Sequence, residues 1–281
     1  MPARYILNTT LEAIESKFAL PPQTITLIPN YNITPGQFAP VITDNKPHEI
    51  QFFKFGLTPF WAKSEMNLFN ARAEGDSNKE DNPSFRGAAG IIQKKAFRKP
   101  IRSQRCLVIA SAFIEGPPNP GFSKPYMVYL RNHQNPFAMA GIWDTWYNPV
   151  IHETIYSFSI ITTTANSLLR KISNSRMPVI LSDREAIKWI NPETELSCIT
   201  GMLNHCDSKL MNAYPVSPRI NNPDENDKLL IQPAGARLLP EDENKSYQRV
   251  VINGYHHSTK EHKGNTDSTT MADRIDQKKI E

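Results

Sequence analysis

Five short stretches carry side chains whose types and spacing suit chemistry. They are MPAR (1–4), FNARAEG (69–75), AFIEG (112–116), KISNSRMPVIL (171–181) and YPVSPRINN (214–222). Removal of Met1 would leave Pro2 as a free secondary amine, which is either a nucleophile or an ordinary chain end. Asn70, Arg72 and Glu74 stand at alternate positions. They suit either a polar strand face or a turn former followed by an exposed ion pair. Glu115 ends the apolar run RCLVIASAFI and precedes Gly116-Pro117-Pro118. A carboxylate there is either a buried acid or base with a pKa raised by desolvation, or the first residue of a solvated loop.

The charge pattern adds a second kind of chemistry. Between Arg86 and Arg105 stand seven basic residues (Arg86, Lys94, Lys95, Arg98, Lys99, Arg102 and Arg105) and no acid. Such a run suits phosphates, or is simply a solvated basic loop. Net charge over the 281 residues is a modest +4, so the distribution says more than the total. Cys106, Cys198 and Cys206 form no even set and no CxxC, which predicts free thiols in a reducing compartment. Cys106 lies inside an apolar run and is expected to be inert packing. There is no signal-peptide pattern and no run long enough to span a membrane. The sequons at Asn8 and Asn32 are therefore chance matches. The expectation is a cytoplasmic protein, nucleoid-associated if bacterial, with no membrane contact.

The elements that must position these residues are short and mixed. TTLEAIESKFA (9–19) predicts a helix capped at Thr9 or Thr10 with Leu11, Ile14 and Phe18 on one face. ITLI (25–28), RCLVIASAFIE (105–115), PYMVYL (125–130), FAMAGIWDTW (137–146), TIYSFSIITTTA (154–165) and VILS (179–182) have strand character, FFKFGLTPFW (52–61) is a strand into a turn broken at Pro59, and YNITPGQFAPVI turns at Thr34-Pro35-Gly36 with a strand after it. SLLRKI predicts a helical turn and LSCITGMLNH a short helix. SDREAIKWI predicts a helix with a capping box between Ser182 and Glu185. Strands and helices do not alternate regularly, so the fold class is α+β: one strand-rich domain over residues 1–240 with a barrel-like core. Residues 241–281 carry eight acids and seven bases among polar residues and predict a disordered tail, apart from a strand at RVVI. His256, His257 and His262 in it are solvated tail histidines or a weak metal site.

In order along residues 1 to about 235, the stretches resemble the SRAP family (SOS-response-associated peptidase, or abasic-site-processing domain). MPAR stands where that family has Met-Cys-Gly-Arg. YNITPGQ (31–37), FGLTPFWA (55–62), NARAEG (70–75), RCLVIASAFIEG (105–116), PFAMAGIW (136–143) and ISNSRMPVIL (172–181) follow its blocks YNIAPxQ, WGLxPxWA, NARxET, RCLxPxxGFYEW, PFxAGLW and IHxxRMPxIL. The resemblance implies single-stranded DNA binding in a basic groove and recognition of abasic sites by a monomer without metal or organic cofactor. It further implies a thiazolidine crosslink made by the N-terminal Cys. The family's Asn holds the sugar, and its Glu and His handle protons.

The chain departs from that pattern at the reacting positions. Asn70, Arg72 and Glu115 are kept. Pro2 replaces the Cys, Ala3 the Gly, Ser173 the His, and Gly116 the Trp after the Glu. A thiazolidine needs an amine and a thiol on one residue, and Pro2 has no thiol. Three readings follow. The first is a binding module for single-stranded or abasic DNA, with Arg4, Arg72, Arg86, Arg105 and Arg176 as phosphate contacts and Trp61 as a base-stacking wedge. The second is a lyase in which the Pro2 amine forms an iminium and Glu115, with Asn70 and Ser173 beside it, shuttles protons. The third is a pseudoenzyme that has left DNA, against which the basic run stands.

Overall fold

Tyr5–Leu7, Arg105–Ala110 and Ala112–Glu115 are buried at every position, and Phe38–Thr43 is buried after its first residue. Continuous apolar runs of this length make strands covered on both faces. The computed structural model describes residues 3–82, 84–85, 89–117, 122–131, 135–173 and 176–241. In chain order the elements are β1 (Tyr5–Leu7), α1 (Leu11–Phe18), β2 (Asn30–Ile33), β3 (Phe38–Thr43), β4 (Lys46–Phe55), β5 (Asn70–Arg72), α2 (Pro100–Ser103), β6 (Arg105–Ala110) and β7 (Ala112–Glu115). They continue with β8 (Tyr126–Leu130), β9 (Phe137–Asn148), β10 (Glu153–Thr164), β11 (Arg176–Pro178), β12 (Ile180–Leu181), α3 (Asp183–Ile190), α4 (Leu196–Gly201) and β13 (Met211–Pro215).

Five strands close on themselves. β4 pairs with β3, β3 with β6, β6 with β9 and β9 with β10, all antiparallel, and β10 returns to β4 in parallel. Closure leaves the barrel without free edges between these strands. β5 and β11 add to β10, and β12 adds to β9. The expected α+β, barrel-cored fold is the observed one. Inside the barrel, Gly141 faces Cys106 so closely that a Cβ on it would lie 2.7 Å from the Cys106 Sγ. A second sheet runs β13-β8-β7-β1-β2.

The run RCLVIASAFIE is one stretch in sequence and two strands in space. It breaks at Ser111, where the chain leaves the barrel (β6) and enters the second sheet (β7). The Ser111 N–H donates to Ile6 O at 2.7 Å and its Oγ accepts from Asn8 N–H, so the corner is hydrogen-bonded. The helix at 9–19 forms as Leu11–Phe18, with Thr10 Oγ1 accepting from Ala13 N–H. The capping box of α3 is complete in both directions.

ITLI is not a strand. Pro21 and Pro22 precede it, and the Gln23 side chain takes the hydrogen bonds a neighbouring strand would have made with β4. Its amide donates to His48 O at 3.0 Å and accepts from Ile50 N–H at 3.0 Å. Ile25 and Leu27 still pack on the core from an extended, unpaired segment. Among the described residues, no helix is long and apolar enough to cross a membrane. RVVI and the tail histidines lie outside the described residues.

Candidate functional site

The second sheet carries the acid. β1 runs antiparallel to β7 with Tyr5 opposite Phe113, and Ile114 N–H donates to Arg4 O at 3.0 Å. Continuing that register toward the N-terminus sets Ala3 opposite Glu115. Glu115 is 1% exposed, so it is the buried acid and not the start of a solvated loop. Its Oε1 accepts from Gly116 N–H at 3.2 Å and from Ser173 Oγ at 3.4 Å. Ser173, in the family's His position, therefore sits against the carboxylate. A serine hydroxyl can hold that contact but has no proton to exchange near neutral pH.

The barrel carries the polar and cationic groups. β5 pairs in parallel with β10, Asn70 opposite Ile160 and Arg72 opposite Thr162. Ala71 between them is buried, so Asn70 and Arg72 share the other face. β11 pairs on the other side of β10, with Arg176 opposite Thr164. Arg176 is 1% exposed, and each nitrogen of its guanidinium has a partner. Nε donates to Thr162 Oγ1 (3.1 Å), Nη1 to Asp81 Oδ1 (2.5 Å), and Nη2 to Glu74 Oε2 (2.5 Å) and Thr162 O (2.7 Å). Glu74 also accepts from Thr163 Oγ1. Arg72 Nη2 donates to Asn78 O (2.7 Å) and to the same Asp81 Oδ1 (2.5 Å). Ser173 stands three residues before Arg176, and Asn70 two before Arg72. Asp81 Oδ1 thus joins the two arginines, while Glu115 and Ser173 form a separate buried contact.

Glu74 and Asp81 were not among the sequence-derived site residues. Glu74 had a signal, its alternation with Arg72; Asp81 had none. A cavity of about 570 Å³ opens beside Glu74, lined also by Thr163, Thr164, Asn204 and His205, and none of the described candidate residues lines it.

Arg4 is half-buried, and its guanidinium donates to Asn32 Oδ1 (2.8 Å) and Asn221 O (2.5 Å). Burial lowers its pKa from the ordinary value. It ties β1 to β2 and to the YPVSPRINN segment, which is where that stretch enters. Trp61 is partly exposed with Lys95 Nζ 4.2 Å from its ring, and Lys99 Nζ lies 4.7 Å from the Phe60 ring. Aromatic faces under lysines are what a stacked, negatively charged strand meets.

Arg105 requires a correction. It is 1% exposed, and its donors go to Trp189 O (2.6 Å), Asn191 O (2.9 Å), Ile101 O (3.3 Å) and Arg102 O (2.5 Å). Those carbonyls belong to the C-terminal ends of α2 and α3, where a cation is favoured. Arg105 is part of the scaffold: four of its five N–H donors are used on these carbonyls, and its burial keeps it from a phosphate. The basic run is also less bare than its sequence, because Asp76 from another segment pairs with Lys94 at 2.8 Å. Cys106 is fully buried and burial pushes its thiol well up, so it is the inert packing group expected. Pro2 and Arg86 lie outside the described residues. Among the described residues no three His, Cys, Asp or Glu side chains are grouped to hold a metal ion.

A family model described as SOS response associated peptidase (SRAP) matches residues 1–223. The chain is 34% identical over 210 residues to the abasic site processing protein YoqW of Bacillus subtilis, covering 73% of this chain and 86% of that one. It is 29% identical over 244 residues to the abasic site processing protein HMCES of Rattus norvegicus, covering 73% of this chain and 65% of that one. A crystal structure of a protein from Bacteroides thetaiotaomicron superposes with a TM-score of 0.69 at 28% identity, covering 83% of this chain and all of that one. A second, from Bordetella bronchiseptica, gives 0.60 at 21% identity, covering 76% of this chain and 99% of that one, and is a likeness of fold alone.

Proposed function

This chain belongs to the SRAP family, and we propose that it binds single-stranded DNA at abasic sites without forming the family's thiazolidine crosslink. The observation that carries the reading is the Asp81 carboxylate shared by Arg72 and Arg176, two arginines on strands that both pair with β10. Asn70 lies on the same strand face as Arg72, and the buried Glu115 accepts from Ser173 Oγ. Paired guanidiniums suit phosphates, and a buried carboxylate beside a hydroxyl suits a sugar. Arg4, Arg72, Arg86 and Arg176 are the proposed phosphate side, with Trp61 stacking on a base. Glu115, Asn70 and Ser173 are the proposed sugar side. Without a thiol at Pro2, no ring can close on an aldehyde there. We propose that it acts as a monomer in the cytoplasm, in DNA-damage response.

A second reading is favoured by one observation: the β1–β7 register sets Ala3, the residue after Pro2, opposite the buried Glu115. In that reading the Pro2 nitrogen adds to C1′ of the ring-opened sugar and water leaves, giving an iminium. Glu115 takes a C2′ proton, the electron pair moves to C2′=C3′, and the 3′-phosphate departs. An α-amine with a pKa near 8 is partly unprotonated at neutral pH.

One experiment tests both. The protein, with its intact mass recorded, is mixed with a single-stranded oligonucleotide bearing one aldehydic abasic site, with and without borohydride. Salt-sensitive binding with no borohydride-dependent adduct is the expected result. An adduct trapped only by borohydride, and lost when the N-terminus is acetylated, would replace the first reading by the second. An oligonucleotide that does not bind at any salt concentration would remove both.

A further inference from the structure

Asp81 has no role of its own in DNA contact in either reading above. Its Oδ1 accepts from Arg72 Nη2 and Arg176 Nη1 at once, each at 2.5 Å. The two arginines also differ in what else holds them. Arg176 has a second carboxylate, Glu74, in a pair whose side chains are 1% and 9% exposed. Arg72 and Asp81 have side chains 30% and 27% exposed, so solvent reaches this pair and not the other. Arg72 Nε is buried and has no hydrogen-bond partner among the described residues.

We propose that Asp81 is an internal stand-in for a DNA phosphate, and that a phosphodiester displaces it from between Arg72 and Arg176 when the strand binds. The inference rests on the DNA-binding reading above. Charge favours the exchange as one for one. Two guanidiniums and two carboxylates leave the cluster neutral. Departure of Asp81 leaves one positive charge over the buried Arg176–Glu74 pair, which one phosphodiester neutralises. Hydrogen bonding favours it as well. The carboxylate uses only Nη2 of Arg72, whereas a phosphate on the Nε–Nη2 edge would take both donors in parallel.

Asp81 also sits on a removable element. The segment from Gly75 to Asn82 has no strand or helix. It is held by its own cross-links, Asn78 Nδ2–H to Asn82 O (3.1 Å) and Asn82 N–H to Asn78 Oδ1 (2.9 Å), by Arg72 on its carbonyls and by the solvent-exposed Asp76–Lys94 ion pair. Asp81 has φ +55°, a left-handed conformation that L residues other than Asn and Asp rarely take. The segment thus places the carboxylate by local turn chemistry and not by burial in the core.

The test is the affinity of the full chain for a fluorescent single-stranded oligonucleotide carrying a tetrahydrofuran abasic analogue, at several salt concentrations. Asp81→Asn keeps the shape and removes the competing charge. Tighter binding by about 3–10-fold is expected. The slope of log affinity against log salt should change by well under about 0.7, because wild type with Asp81 displaced and the variant contact the same number of phosphates. Asn78→Ala, which loosens the segment and leaves both guanidiniums intact, should shift affinity in the same direction by a smaller factor. If Asp81→Asn binds as wild type or more weakly, while wild type binds and Arg72→Ala weakens it, the inference is overturned and the DNA-binding reading stands. If wild type does not bind and Arg72→Ala changes nothing, both fall together.

Discussion

Arg105 and Arg176 are buried to the same degree, each 1% exposed, and are held by opposite kinds of partner. Arg105 spends its donors on four neutral backbone carbonyls at the ends of α2 and α3. Arg176 spends its donors on two carboxylates and on Thr162. A buried carbonyl fixed in a helix terminus cannot move to a new donor: losing the cation strands those of Trp189 and Ile101. A carboxylate on a loop is equivalent in charge to a phosphate and can be exchanged for one. Burial alone therefore does not separate a scaffold arginine from a functional one. The partner's chemistry and its tether do.

The largest effect that would break this contrast is at Arg105. Arg105→Ala takes the donor from the buried carbonyls of Trp189 and Ile101 and vacates a buried space, while the part-buried carbonyls of Arg102 and Asn191 are lost as anchors. The expected loss is about 3–5 kcal/mol of stability, and a melting point lower by on the order of 10 °C for a chain this size. The fraction that stays folded should bind an abasic oligonucleotide with unchanged affinity and salt slope. Scanning calorimetry and anisotropy on the same preparation check both halves. A stable variant with weakened DNA binding would put Arg105 back among the phosphate contacts.

A smaller effect, opposite in kind, is expected at Arg72. Its ion pair with Asp81 is about a third exposed, and pairs of that kind contribute ~0.2–1 kcal/mol. Arg72→Ala should therefore melt within a few degrees of wild type. Its affinity for the oligonucleotide should fall by about 10-fold, with a shallower salt dependence, if it holds a phosphate. A melting point that collapses as for Arg105→Ala would show that Arg72 is scaffold too, and the contrast would reduce to Arg176 alone.

These two arginines also mark how far the sequence could be followed. The long apolar runs FAMAGIWDTW and TIYSFSIITTTA were legible as strands and are β9 and β10, paired along eight residues. Ser182 and Glu185 announced the start of α3. Glu115 at the end of its run was legible as a candidate acid because the run before it predicts burial. Three features were not legible, each for the same reason. The Gln23 side chain that replaces a strand on the edge of β4 acts across 25 and 27 residues. The parallel β4–β10 pairing that closes the barrel joins segments about a hundred residues apart in sequence. Asp81 reaches Arg176 across 95 residues. Periodicity and capping report on neighbours in the chain. Whether an arginine ends on a carbonyl or a carboxylate is decided by contacts that no local pattern encodes.

The smallest effect concerns the carboxylate nearest Arg105. Asp44 N–H donates to Arg105 O at 2.9 Å, and Asp44 Oδ1 accepts from Trp143 Nε1–H at 3.0 Å, but its side chain makes no ion pair with the Arg105 guanidinium. Burial raises the Asp44 pKa above its ordinary value, outweighing the hydrogen bonds and the Arg105 charge that pull it down. A carboxyl group whose folded pKa is raised binds its proton more tightly when folded. Stability linked to it is therefore greatest at low pH and falls as pH rises from the unfolded value, near 4, through the raised folded value. Asp44→Asn keeps the acceptor for Trp143 and removes the ionisation. At pH 7 it should be as stable as wild type or more so, within about 0.5 kcal/mol, and the difference should shrink or reverse below pH 4. If Arg105 relied on a carboxylate as Arg176 does, Asp44→Asn would instead destabilise the protein at neutral pH and spare it in acid. Melting curves of the two proteins between pH 3 and pH 8 decide whether the charge balancing Arg105 comes from helix ends alone.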